Sequence, residues 1–134
     1  MTHHFRGTVQ SGTGRGAKFI AIPIYSEIFE SHLGDTPFYG TLNLQLDEDG
    51  AKIINQAFQE GQVYEDLVYE GKEFGGIVIV PVRIKSNGTS IDSVAVRPYL
   101  TTHDSDVVEL VATKHLRKVL DLEDGDTVSF ELID

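Results

Sequence analysis

Hydrophobic and polar positions alternate with a period of two through much of this chain. A half-buried strand imposes that pattern, because its successive side chains face opposite sides of a sheet. It predicts strands over residues 5–10, 18–23 and 41–46, the last with Leu42, Leu44 and Leu46 on one face. Further strands are expected over 62–69 and 74–85, paired around Glu70-Gly71-Lys72. Another over 90–97 follows Ser86-Asn87-Gly88-Thr89, since Asn-Gly accepts the positive φ angles of a two-residue hairpin turn. Residues 107–111 and 127–132 complete the set, the latter after an Asp124-Gly125 turn.

Three segments depart from the alternation. Ile24, Ile28 and Leu33 lie near one face of a helix stopped by Gly34. Ile54 and Phe58 are spaced i, i+4 in a second helix closed by Gly61. A third spans 114–120, with Leu116, Val119 and Leu120 apolar and Thr113 as its N-cap. Many short strands with few helices predict a mostly β fold, a small closed or nearly closed β-barrel with a few short helices. No linker, repeat or low-complexity stretch divides the chain, so one domain over 1–134 is expected. It is expected to begin almost at Met1, with no attached DNA-binding helical module.

Composition narrows the function classes. The chain has no cysteine, which excludes disulfides, thiolate zinc sites and cysteine nucleophiles. No apolar run approaches the ~20 residues of a membrane helix, and the N-terminus lacks a secretory core; a cytoplasmic protein is expected. Asp and Glu outnumber Lys and Arg by 21 to 11, a formal charge of −10. That balance argues against nucleic-acid binding, which needs a basic footprint. A small anionic ligand in a local basic pocket remains compatible with it.

Three constellations carry candidate chemistry. In Gly12-Thr13-Gly14-Arg15-Gly16-Ala17-Lys18, alternate glycines let backbone N–H groups approach phosphate oxygens, and Arg15 and Lys18 add charge. Ala17 and Phe19 break the Walker pattern, and the third glycine comes one residue early for a dinucleotide fingerprint. Taken alone, this loop also suits a plain connection between two barrel strands. In Gly40-Thr41-Leu42-Asn43-Leu44, Thr41 and Asn43 project opposite the leucines, roughly 7 Å apart at ~3.3 Å per residue. Their oxygens can converge on a hard cation when phosphates supply the remaining ligands; taken alone, they are first the wet side of a half-buried strand. The third is Thr101-Thr102-His103-Asp104-Ser105-Asp106, a polar loop leading to Glu109, a carboxylate in an otherwise apolar strand that needs a partner or a ligand.

Together these segments resemble the archaeal CTP-dependent riboflavin kinases. The matching residues are Gly7-Thr8-Val9-Gln10-Ser11-Gly12-Thr13-Gly14-Arg15-Gly16, Ile22-Pro23-Ile24-Tyr25-Ser26-Glu27-Ile28-Phe29, Leu33-Gly34, Pro37 and, most densely, Gly40-Thr41-Leu42-Asn43-Leu44-Gln45-Leu46-Asp47. Thr101-Thr102-His103, Val107-Val108-Glu109, Leu116-Arg117 and Asp124-Gly125-Asp126 follow in order. The resemblance implies a cradle-loop barrel that transfers the γ-phosphate of CTP to the 5′-hydroxyl of riboflavin, giving FMN and CDP. It implies Mg2+ on Thr41 and Asn43, and nucleotide contacts from residues 12–18 and from Lys114, His115, Leu116 and Arg117. Thr101 and Glu109 would contact the flavin. Where the family pattern has Pro-Met-Lys, this chain has Thr113-Lys114-His115, a change that backbone contacts survive better than side-chain ones. No catalytic base is assigned; Glu109 and Asp106 are the candidates on chemistry alone.

A monomer without nucleic-acid or membrane partners is expected. The rival readings are a flavin- or nucleotide-binding protein without catalysis, and a hairpin-swapped barrel that binds DNA, which the acidic surface disfavours.

Overall fold

The computed structural model describes residues 4–12, 15–99 and 106–133, with the side chain of Arg15 left aside. Thr13 and Gly14 of the glycine loop, and Thr101-Thr102-His103, lie outside the described residues.

The described elements run β1 (His4–Gln10), α1 (Arg15–Ala21), α2 (Pro23–Leu33), β2 (Leu42–Leu46), α3 (Glu48–Gln59), β3 (Gln62–Tyr64), β4 (Leu67–Tyr69), β5 (Lys72–Phe74), β6 (Ile77–Ser86), β7 (Thr89–Pro98), β8 (Val107–Val111), α4 (Leu116–Val119) and β9 (Thr127–Leu132). Strands β9, β1, β2, β8, β7 and β6 pair antiparallel in that order, and β6 pairs again with β9, which closes a six-stranded barrel. The mostly β barrel with short helices is therefore borne out. β3 adds to the free side of β6, and β4 and β5 form a separate hairpin.

The barrel interior is filled by the inward set of each strand, among them Phe5, Val9, Leu42, Leu44, Leu46, Val82, Val108, Leu110 and Phe130. A second core lies on the outer surface, where α1 and α2 cover part of the sheet and bury Ile20, Tyr25, Phe29, Ile77, Ile79, Val94, Val96 and Val111. Burying each such side chain contributes about 1.5–3 kcal/mol, which holds the helices on the barrel wall. The consecutive burial of Ile77, Val78, Ile79 and Val80 follows, since both faces of β6 are covered there.

Several expectations shift. Residues 18–23 are helical up to Ala21, not a strand. Pro23 disfavours helical geometry in the residue before it, so only Ile22 is extended (φ −65°, ψ 124°) and two helices abut there. On α2 the buried residues are Tyr25 and Phe29, one position beyond the predicted Ile24 and Ile28. Gly34 ends this helix in the left-handed region at φ 81°, as predicted. The predicted strand 62–69 is broken at Glu65-Asp66, where Asp66 has φ 54°. α4 is a single turn preceded by His115, not capped by Thr113. Among the described residues no helix is long and apolar enough to cross a membrane.

Candidate functional site

One row of outward-facing positions crosses the barrel wall and changes character along its length. Ile79 on β6 pairs with Val96 on β7, Val96 with Glu109 on β8, Glu109 with Asn43 on β2, and Asn43 with Gln10 on β1. The apolar end lies beneath α2. The polar end lies beneath the glycine loop, so Asn43 is only 6% exposed. It is therefore not on the wet side of the strand: β2 is covered on both faces.

The loop approaches this strand as closely as the absence of side chains allows. A Cβ on Gly12 would collide with the Asn43 amide nitrogen, and one on Gly16 would stand 2.6 Å from Thr41 Oγ1. Contacts below 3.0 Å are closer than real Cβ atoms come, so glycine at both positions is a packing requirement. Thr41 Oγ1 donates a hydrogen bond to Glu109 Oε1 at 3.2 Å. Asn43 Oδ1 is buried without a hydrogen-bond partner among the described residues. Leaving a buried acceptor unpaired costs about 1–3 kcal/mol, so this oxygen is poised for a ligand. Asp106, which closes the loop before β8, has one orphaned buried oxygen too; its other oxygen accepts from Gln45 Nε2 at 2.6 Å.

The near end of the glycine loop is clamped. Ser11 Oγ donates to Asp124 Oδ2, and Arg117 donates both to Asp124 Oδ1 and to the Gln10 carbonyl. The Ser11 hydroxyl and then the Arg117 guanidinium hold the Asp124 carboxyl below the usual aspartate range. Arg117 thus anchors the loop through its side chain, a task that the charge pattern alone did not reveal. The Asp124-Gly125 turn, with Gly125 at φ 93°, delivers the acceptor.

On the other side of Thr41 a narrow pocket of about 200 Å³ is lined by Phe38, Gly40, Thr41, Leu110, Lys114 and His115, among others. Phe38 and His115 stack with ring centroids 4.5 Å apart and planes 7° apart. A Cβ on Gly40 would press on the Phe38 ring at 2.9 Å, so this glycine also makes room for its neighbour. Phe38 was missed in the sequence; the glycine two residues on, beside Thr41, is its only signal. Leu116 is buried in the barrel core, so only its backbone is available to a ligand. Lys114, His115, Ala17 and Lys18 are exposed. A larger recess of about 460 Å³, lined in part by His4, Arg6, Asp47, Asp49 and Ser129, brings together none of these motifs. There Asp47 caps α3 by accepting from the Gly50 N–H at 2.7 Å.

The structure thus gathers Gly12, Gly16, Thr41, Asn43 and Glu109 at one end of the row, with 114–117 alongside. No group of three or more His, Cys, Asp or Glu side chains suited to a metal occurs among the described residues. The donors here are instead one hydroxyl, one amide oxygen and a neighbouring carboxylate. That set suits a hard divalent cation that takes its other ligands from phosphate and water.

The sequence model of the family CTP-dep_RFKase, described as a domain of unknown function (DUF120), matches residues 9–132. A riboflavin kinase of Methanosarcina mazei is 38% identical over 132 residues, covering 98% of this chain and 57% of that protein. One of Methanococcus aeolicus is 33% identical, covering 98% of this chain and 100% of that protein. One of Aeropyrum pernix is 36% identical over 97% of this chain and 96% of that protein. The chain therefore spans little more than half of some relatives and nearly all of others. The family match and these identities show that the chain belongs to the CTP-dependent riboflavin kinase family.

Proposed function

We propose that this chain transfers the γ-phosphate of CTP to the 5′-hydroxyl of riboflavin, giving FMN and CDP, with Mg2+ held by Thr41 and Asn43. The observation that carries the reading is the buried Asn43 Oδ1, without a partner among the described residues, on the side chain that packs against Gly12. A buried oxygen facing a phosphate-binding loop is what a cation-bridged polyphosphate needs.

Phosphoryl transfer passes through a loose transition state, so catalysis is mainly alignment and charge stabilisation. Mg2+, when bound, neutralises charge on the phosphate oxygens. The loop 12–18 wraps the phosphates with its N–H groups, and Lys18 adds charge. Lys114, His115, Leu116 and Arg117 border the nucleotide: Leu116 through its backbone, Arg117 by fixing the loop. Glu109, half-buried at the end of the polar row, and Thr101 contact the flavin. The protein works as a monomer without nucleic acid or membrane.

The test is to incubate the protein with riboflavin, Mg2+ and each of the four nucleoside triphosphates, and to follow FMN. FMN is expected with CTP. Its absence with every triphosphate overturns the proposal, and formation with another donor but not CTP overturns the choice of nucleotide.

A further inference from the structure

Thr41 and Glu109 meet across the β2–β8 ladder, and their hydrogen bond fixes where the hydroxyl points its lone pairs. A threonine hydroxyl has one proton and two lone pairs. Here the proton is directed to Glu109 Oε1 at 3.2 Å. A Cβ on Gly16 would stand 2.6 Å from the same oxygen, and Asn43, opposite Glu109 in register, has a buried Oδ1 without a partner among the described residues. A hydroxyl free to rotate would present its proton to a cation part of the time. One that donates to a carboxylate presents lone pairs only.

We propose that Glu109 is a positioning residue for the cation: it takes the Thr41 proton so that Thr41 Oγ1 and Asn43 Oδ1 offer lone pairs to one divalent ion. The inference rests on the reading of Thr41 and Asn43 as the metal-holding pair. It gives Glu109 a task beyond flavin contact. An ionised carboxylate has about four lone-pair sites, so accepting the Thr41 proton does not exhaust it.

The experiment measures Mn2+ affinity from the paramagnetic resonance of free Mn2+, at saturating CDP and without riboflavin. It compares the wild type, Glu109→Ala, Thr41→Val and the double variant. Glu109→Ala is expected to weaken Mn2+ about tenfold or more, the scale for a lost partner of a metal ligand. In the Thr41→Val background the same change is expected to add nothing, because its effect passes through the hydroxyl. Glu109→Gln preserves the shape of the side chain, should Glu109→Ala not fold. Its amide oxygen accepts the same proton, so it is expected to hold Mn2+ nearly as the wild type does.

Unchanged affinity in Glu109→Ala, with only the riboflavin KM raised, overturns the inference and leaves Glu109 to the flavin. An equal loss in both backgrounds, or a loss in Glu109→Gln as large as in Glu109→Ala, overturns it in favour of bulk charge. Failure of the wild type to bind Mn2+ with CDP would remove the metal reading itself, and this inference with it.

Discussion

Gly16 has no side chain, and the backbone above Thr41 depends on that. An alanine there would place Cβ 2.6 Å from Thr41 Oγ1 and 3.1 Å from its Cγ2. Two effects oppose each other. Alanine is about 1 kcal/mol better than glycine within a helix, whereas overpacking costs about 1–3 kcal/mol. The net loss of stability for Gly16→Ala is therefore about 2 kcal/mol at most, and the chain still folds. Relief of the clash must move Thr41 or lift the loop, so FMN formation is expected to fall more than tenfold. A steady-state assay beside a thermal melt checks this; wild-type turnover would contradict it. From the sequence, Gly12 and Gly16 belonged to a phosphate-type pattern that fitted a plain connection equally well. What distinguished them was the strand beneath, which no local pattern names.

At the scale of elements, β2 shows what period-two reading can and cannot deliver. The leucine alternation placed Leu42, Leu44 and Leu46 in the core and Thr41 and Asn43 opposite them, and the structure agrees. It could not say that the opposite face is covered, because the cover comes from Gly12 and from Gly16 at the start of α1. The segment 18–23 failed for a related reason: Ile20 and Ile22 alternate like a strand, yet Ile20 is buried under a helical turn. Pro23 was the signal that only one residue there is extended.

The joint between α2 and β3 gives a pH-dependent property. His32 Nε2 lies 2.7 Å from the Tyr64 hydroxyl, and burial pushes the His32 pKa down. Its folded pKa is thus below the unfolded value of about 6.5. The stability it contributes is present above pH ~6.5 and is lost as pH falls from there through the lower folded pKa, because the unfolded chain takes up the proton first. The melting temperature should drop between pH 7.5 and 5.5, and His32→Gln should drop less. Identical slopes in the two proteins would contradict this origin.

For the whole molecule, the count of strands pointed to a barrel, but closure depends on β6 pairing with both β7 and β9. Glu131 at that seam is buried among Arg83, Lys85 and His4. Strand order is a matter of long-range pairing, and nothing in the periodicity encodes it. The overall charge of −10 is compatible with an anionic ligand because Lys114 and Arg117, just before and within α4, line the pocket beside Thr41. Direct pairing of β1 with β2 and of β2 with β8 places Gln10, Asn43 and Glu109 in one row.

Asn43→Ala tests the central claim most directly, because it removes the oxygen on which the site depends. Deleting a buried acceptor that has no partner among the described residues relieves a penalty of about 1–3 kcal/mol, so the variant should melt near the wild-type temperature. FMN formation at saturating riboflavin and CTP should fall about 10²-fold or more, the scale for losing one preorganised electrostatic partner. A well-folded Asn43→Ala protein with wild-type turnover at saturating Mg2+ and CTP would contradict the account.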